Sequence, residues 1–135
     1  MAKLATWIRT DDLLKMSPNR MVATLYDEAI AALQDAKQAI AWNDIESRCN
    51  AVSMTHELVG TLYLCLDSER GGEVAENLGR IYGFILQRLH RINFENDPAI
   101  ADEVIDLLVP LRDSWMELDR KIEVEETPVP VAAAS

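Results

Sequence analysis

Cysteine is too scarce in this sequence to staple a fold. Cys49 and Cys65 stand sixteen residues apart, about 24 Å along a helix at 1.5 Å per residue, too far for a disulfide or a shared ion. Both are expected to be small buried hydrophobes in a reducing compartment. Long apolar runs are missing too. No segment approaches the roughly 20 residues of a membrane-spanning helix, and the opening "MAKLATWIRTDD" lacks the apolar core of a signal peptide. Membrane insertion is therefore excluded, and the cytosol is the expected compartment. Positive charge is in deficit: 13 basic against 23 acidic residues give a net charge of -10. Nucleic-acid backbones and anionic lipid surfaces would be repelled, and the weak basic patch around Arg80, Arg88, His90 and Arg91 does not reverse this. Between Glu95 and Glu126 eleven acidic residues meet only Arg112, Arg120 and Lys121, as a solvated helix face would.

What is present is helical periodicity. Ser17-Pro18 reads as a helix start, with serine as N-cap and proline in the first turn, where its missing N–H is not needed. The apolar row Met21, Leu25, Ala29, Leu33, Ala36 and Ile40 follows, widened by Val22, Tyr26 and Ile30. Asn43-Asp44 interrupts, and Asp44 can cap a second helix whose apolar side runs from Ile45 through Leu58 and Leu62 to Leu66. Val74, Leu78, Ile81, Ile85, Leu89 and Ile92 form a third row, and a start at Asp97-Pro98 leads to Ile100, Val104, Leu107, Leu111, Trp115 and Leu118. Strand alternation has almost no claim. Four long amphipathic segments with short connections predict an all-α, elongated, antiparallel up-down four-helix bundle over residues 1–122. A kink is expected at Pro110 inside the last helix. The apolar cluster around Leu4, Trp7 and Ile8 predicts a short N-terminal helical segment that must dock somewhere. The tail "EVEETPVPVAAAS" from residue 123 is expected to be disordered.

The glycine pair Gly71-Gly72 raises the question of a phosphate cradle. Neither G-x-x-x-x-G-K-[ST] nor G-x-G-x-x-G can be written through Gly71, Gly72 and Gly79, and no strand precedes them. The pair reads as a turn that reverses the chain, with Glu73 beginning the next helix. "HELVG" from His56 opens like the zinc-protease helix, but Gly60 stands where the second histidine is required. Ser53 and Gln87, three residues before His56 and His90, break the Glu-x-x-His pattern of di-iron bundles. Both histidines are expected at the surface or its boundary, with no catalytic, cofactor or metal site and no enzyme. The apolar stripes exceed one seam, and the surplus can line a groove for a partner's amphipathic segment.

Three stretches carry a resemblance. "SPNRMVATLYDEAI" (17–30), "LDSERGGEVAENLGRIYGFILQRL" (66–89) and "LLVPLRDSW" (107–115) resemble the signatures of the flagellar secretion chaperone FliS family, in order, spacing and helical context. The resemblance implies a cytosolic export chaperone that binds the C-terminal segment of flagellin, prevents its premature polymerisation and delivers it to the flagellar type III export apparatus, without cofactor. It implies flagellin contacts at Leu25, Tyr26, Ala29 and Leu33 in the first signature. In the second region it implies them at Leu62, Leu66, Asn77, Leu78, Tyr82 and Leu86. Asn77 can hydrogen-bond the exposed backbone of an extended guest, while Trp115 is expected to pin the last helix to the core. Trp7 and Ile8 are expected to occupy the cargo groove as a displaceable placeholder. The alternative is a helical adaptor or regulator serving another flagellar or export-gate protein.

Overall fold

A computed structural model describes residues 18–126 of the chain. Among these residues the regular elements are four helices: α1 (Pro18–Ala41), α2 (Ile45–Leu64), α3 (Ser68–Glu95) and α4 (Pro98–Glu126). Helix α1 packs against both α2 and α4, α3 lies against α2, and α3 and α4 close the ring more loosely. This is the antiparallel four-helix bundle expected from the periodicity. The ion pairs between helices report the same register: Lys37 meets Asp102 at 2.5 Å and, further back along α1, Asp27 meets Arg112 at 2.8 Å further along α4. Such partly exposed pairs contribute no more than about 1 kcal/mol each.

The connections follow from local chemistry. Asn43 takes a left-handed conformation (φ 58). Its N–H donates to the Ile40 carbonyl (3.1 Å), and the Asp44 N–H donates to that of Ala39 (2.8 Å). These two bonds satisfy the end of α1 in the manner of a Schellman cap. The Asp44 side chain then accepts from the Ser47 N–H at 3.1 Å, so α2 starts where the capping aspartate was expected. Asn96 (φ 55) and Asp97, which accepts from the Ala99 N–H at 2.9 Å, repeat the device before α4.

The core runs the length of the bundle through Leu33, Leu58, Ile85, Leu89, Ile92, Val104 and Leu108. Helix α1 buries a face rich in alanine (Ala23, Ala29, Ala32, Ala36 and Ala39), whose small side chains let two neighbours approach one helix closely. Thr55 is the fully buried polar residue beside them, and its hydroxyl donates to the Ala51 carbonyl at 2.9 Å.

Several expectations are corrected. Cys65 caps the end of α2 and is exposed, and Cys49 is only half-buried; the cysteines fall where the α2 stripe turns away from the core. The glycine pair does separate two helical stretches, but one helical turn from Ser68 already precedes it. Gly72 then breaks α3 with φ 52 and ψ -123. Helix α4 extends from Pro98 to Glu126 with Pro110 inside it. The N-terminal segment with Trp7 and Ile8, the Ser17 cap and residues 127–135 of the tail lie outside the described residues.

The two glycines Gly72 and Gly83 separate backbone strain from helix propensity. Replacing Gly72 by alanine forces a side chain into a positive-φ conformation and should cost about 1–3 kcal/mol. Gly83 is helical and an added Cβ meets nothing within 4 Å, so Gly83→Ala should be neutral or stabilising by up to about 1 kcal/mol. Urea denaturation of both variants checks this, and equal effects would refute it.

Candidate protein-binding cleft

The up-down order brings the start of α1, the end of α2, the start of α3 and the later part of α4 to one end of the bundle. A cleft of about 470 Å³ opens there, lined among others by Val22, Leu62, Leu66, Leu78, Tyr82 and Trp115. Every helix contributes a wall because each carries its apolar stripe to its end, beyond the point where a facing stripe is available to cover it. Leu66 and Leu78 are only half-buried, and Val74 on the cleft rim is 66% exposed. Gly71 lies on the same rim. A Cβ there would come within 2.7 Å of the Ala75 side chain one turn on, so a larger residue at this position would force a local shift.

Tyr82 forms the floor at 1% exposure. Its hydroxyl is hydrogen-bonded to that of Tyr26 across the diagonal of the bundle, with ring centroids 6.3 Å apart and planes tilted by 52°. Burial pushes the Tyr26 phenol above its ordinary pKa, while hydrogen bonds to Tyr82 and Trp115 oppose the shift. Burial pushes Tyr82 up much further, reinforced by the hydrogen bond and charge of Tyr26. Both hydroxyls therefore stay protonated in the folded chain, and each answers the other's need for a partner inside an apolar layer.

The resemblance-implied residues divide into three groups. Leu62, Leu66, Leu78 and Tyr82 converge on the cleft. Leu25, Tyr26, Ala29 and Leu33 do not line it: they are 0–3% exposed and form the core beneath, because α1 turns this face to both neighbours. Leu86 and Asn77 are elsewhere. Leu86 belongs to a separate apolar crevice between α2 and α3, while Asn77 is exposed and its side-chain oxygen accepts from Arg80 at 2.7 Å. Sequence reasoning placed Val22 and Trp115 in helix rows without seeing that they face the cleft. Trp115 is half-buried against the core and also forms a wall, so anchoring and lining are combined in one side chain.

A concavity of about 450 Å³ between α1 and α2 is a different kind of surface, with Asp35, Gln38, Asp44, Ser47 and Asn50 among its lining residues. None of the implied contact residues lies in it. Among the described residues no three His, Cys, Asp or Glu side chains gather where they could hold a metal ion, and no described helix is long and apolar enough to cross a membrane.

An all-helical scaffold that leaves its stripe ends uncovered presents an apolar cleft of the kind that can receive an amphipathic segment of another polypeptide. The comparison with known proteins gives this scaffold its family. Residues 2–122 match the family described as Flagellar protein FliS, and the chain belongs to that family of flagellar secretion chaperones. It is 29% identical over 116 residues to the flagellar secretion chaperone FliS of Salmonella typhimurium, covering 85% of this chain and 86% of that one. It is 33% identical over 99 residues to FliSB of Pseudomonas aeruginosa, covering 73% and 79%. With FliS of Campylobacter jejuni it shares 35% over 102 residues, covering 76% and 80%.

The tyrosine pair should reveal itself in a mutant cycle. Tyr82→Phe leaves the Tyr26 hydroxyl without its main partner and should cost about 1–3 kcal/mol, whereas Tyr26→Phe/Tyr82→Phe should cost clearly less than the sum of the single changes. Because both folded-state pKa values are raised, the contribution of the pair is intact below the ordinary tyrosine value of about 10 and is lost as pH rises above it. Urea melts at pH 8 and above pH 10 measure both effects, and additive single changes would exclude the coupling.

Proposed function

We propose that this chain is a cytosolic export chaperone for flagellin. It holds the C-terminal segment of flagellin, keeps subunits from polymerising before export and passes them to the flagellar type III export apparatus. The observation that carries this reading is the end cleft, where Leu62, Leu66, Leu78, Tyr82 and Trp115 present an apolar surface drawn from three helices, in a chain of the FliS family. A disordered segment that folds on meeting such a surface exchanges its freedom for apolar burial. Each large side chain fully buried contributes roughly 1.5–3 kcal/mol, so the guest must follow a path longer than the cleft to bind tightly. The exposed Val74 on its rim, the exposed apolar residues Tyr63 and Leu64 beyond it, and the crevice at Leu86 extend that path along α2 and α3. Asn77 stands beside it with a side-chain amide that an extended backbone can use in place of Arg80. The buried Leu25, Tyr26, Ala29 and Leu33 act from below, by holding the cleft floor in place.

Helix α1 begins beside the cleft, since Asn19 and Val22 are among its lining residues. Trp7 and Ile8 are therefore within chain reach of the surface that flagellin would occupy and serve as a placeholder for it. Deleting residues 1–12 should tighten or accelerate flagellin binding, measured by biolayer interferometry. A clear loss of affinity would exclude the placeholder.

Pull-down with full-length flagellin and with flagellin lacking its C-terminal segment tests the main reading. Capture should depend on that segment and fall by about tenfold in affinity when Leu78 is replaced by alanine, the equivalent of one buried side chain. Equal capture of both flagellins would favour an adaptor for another flagellar or export protein.

A further inference from the structure

His56 on α2 and His90 on α3 are far apart in the sequence, and neither belongs to the end cleft. The fold brings them face to face across the α2–α3 seam, with ring centroids 5.5 Å apart and planes tilted by 51°. Both are exposed, so neither imidazole is committed to the core. Two rings on adjacent helices at this spacing are close enough for one ion to reach a nitrogen of each. A metal–nitrogen bond of about 2.0–2.1 Å, with about 1.1 Å more to the ring centre, places two centroids about 5 Å apart at a tetrahedral angle. The observed separation of 5.5 Å is close to that value, and both side chains are exposed.

We propose that His56 and His90 form a two-imidazole site for a late first-row divalent cation such as zinc or nickel. Neutral imidazole is a borderline ligand that suits these ions, while magnesium and calcium require oxygen. Among the described residues no third acidic, cysteine or histidine side chain completes the set. The remaining coordination positions are open to water or to a side chain from outside. Space for such a side chain lies next to His56, in the crevice of about 350 Å³ bounded by Gly60, Thr61, Tyr63, Leu64 and Leu86. A bound ion would tie α2 to α3, the helices that carry Leu62, Leu66, Leu78 and Tyr82. This site is independent of the flagellin reading and stands or falls without it.

The test uses untagged full-length protein, titrated calorimetrically with zinc or nickel chloride and, as a control, magnesium chloride. Saturable one-to-one binding of zinc or nickel, reversed by chelator and absent with magnesium, is the expected result. His56→Ala and His90→Ala should each weaken it by at least about tenfold. Because both side chains are exposed, the variants should keep the wild-type circular dichroism spectrum and thermal midpoint without metal. Imidazole proton resonances supply a second readout: both histidines should shift together on zinc addition. Absence of saturable binding, unchanged binding in either variant, or a shift of one histidine alone would overturn the proposal.

Discussion

The fold depends on one crowded helix. Helix α1 touches α2 and α4 at the same time, and much of the face it buries is alanine. A larger side chain at Ala29, Ala32 or Ala36, each 0–3% exposed, would push one neighbour away, since a packed interior has no slack to absorb extra methylenes. The larger residues of α1, Leu25, Tyr26 and Leu33, fill the space between these contacts. Helix α3 is consequently held by α2 and by the looser contact with α4, and its first turns lie at the open end of the bundle.

That asymmetry creates the cleft. The core closes where the stripes face one another, around Leu58, Ile85 and Leu108, and it opens at the end of the bundle where Gly72 breaks α3. Tyr26 and Tyr82 mark the boundary, with rings in the core and hydroxyls paired across it. Below them the buried apolar side chains form one continuous cluster; above them Leu66, Leu78, Val22 and Trp115 remain partly uncovered. The division separates a covered core, which fixes the shape of the bundle, from an end where apolar side chains remain open.

Much of this was legible in the sequence because it is local. Helical spacing of apolar residues, the Asp44 and Asp97 caps and the Pro18 and Pro98 starts each act within one or two turns, so they can be read without knowing what lies opposite. The family signatures likewise pointed to Leu62, Leu66, Leu78 and Tyr82. The division between core and cleft was not legible. Leu25 and Leu66 are both leucines on apolar stripes, yet one is fully covered by two neighbouring helices and the other projects past the end of its own.

The sequence by itself determined the all-helical class, the four segments and the family, since periodicity, capping and motif order are properties of the chain. Only the tertiary structure decided that Tyr26 and Tyr82 share a hydrogen bond, that Cys65 is exposed, that Trp115 is both anchor and wall, and that His56 meets His90. Each of these depends on the axial register of one helix against another. Register is set by the summed packing of many side chains, none of which announces its partner in the sequence.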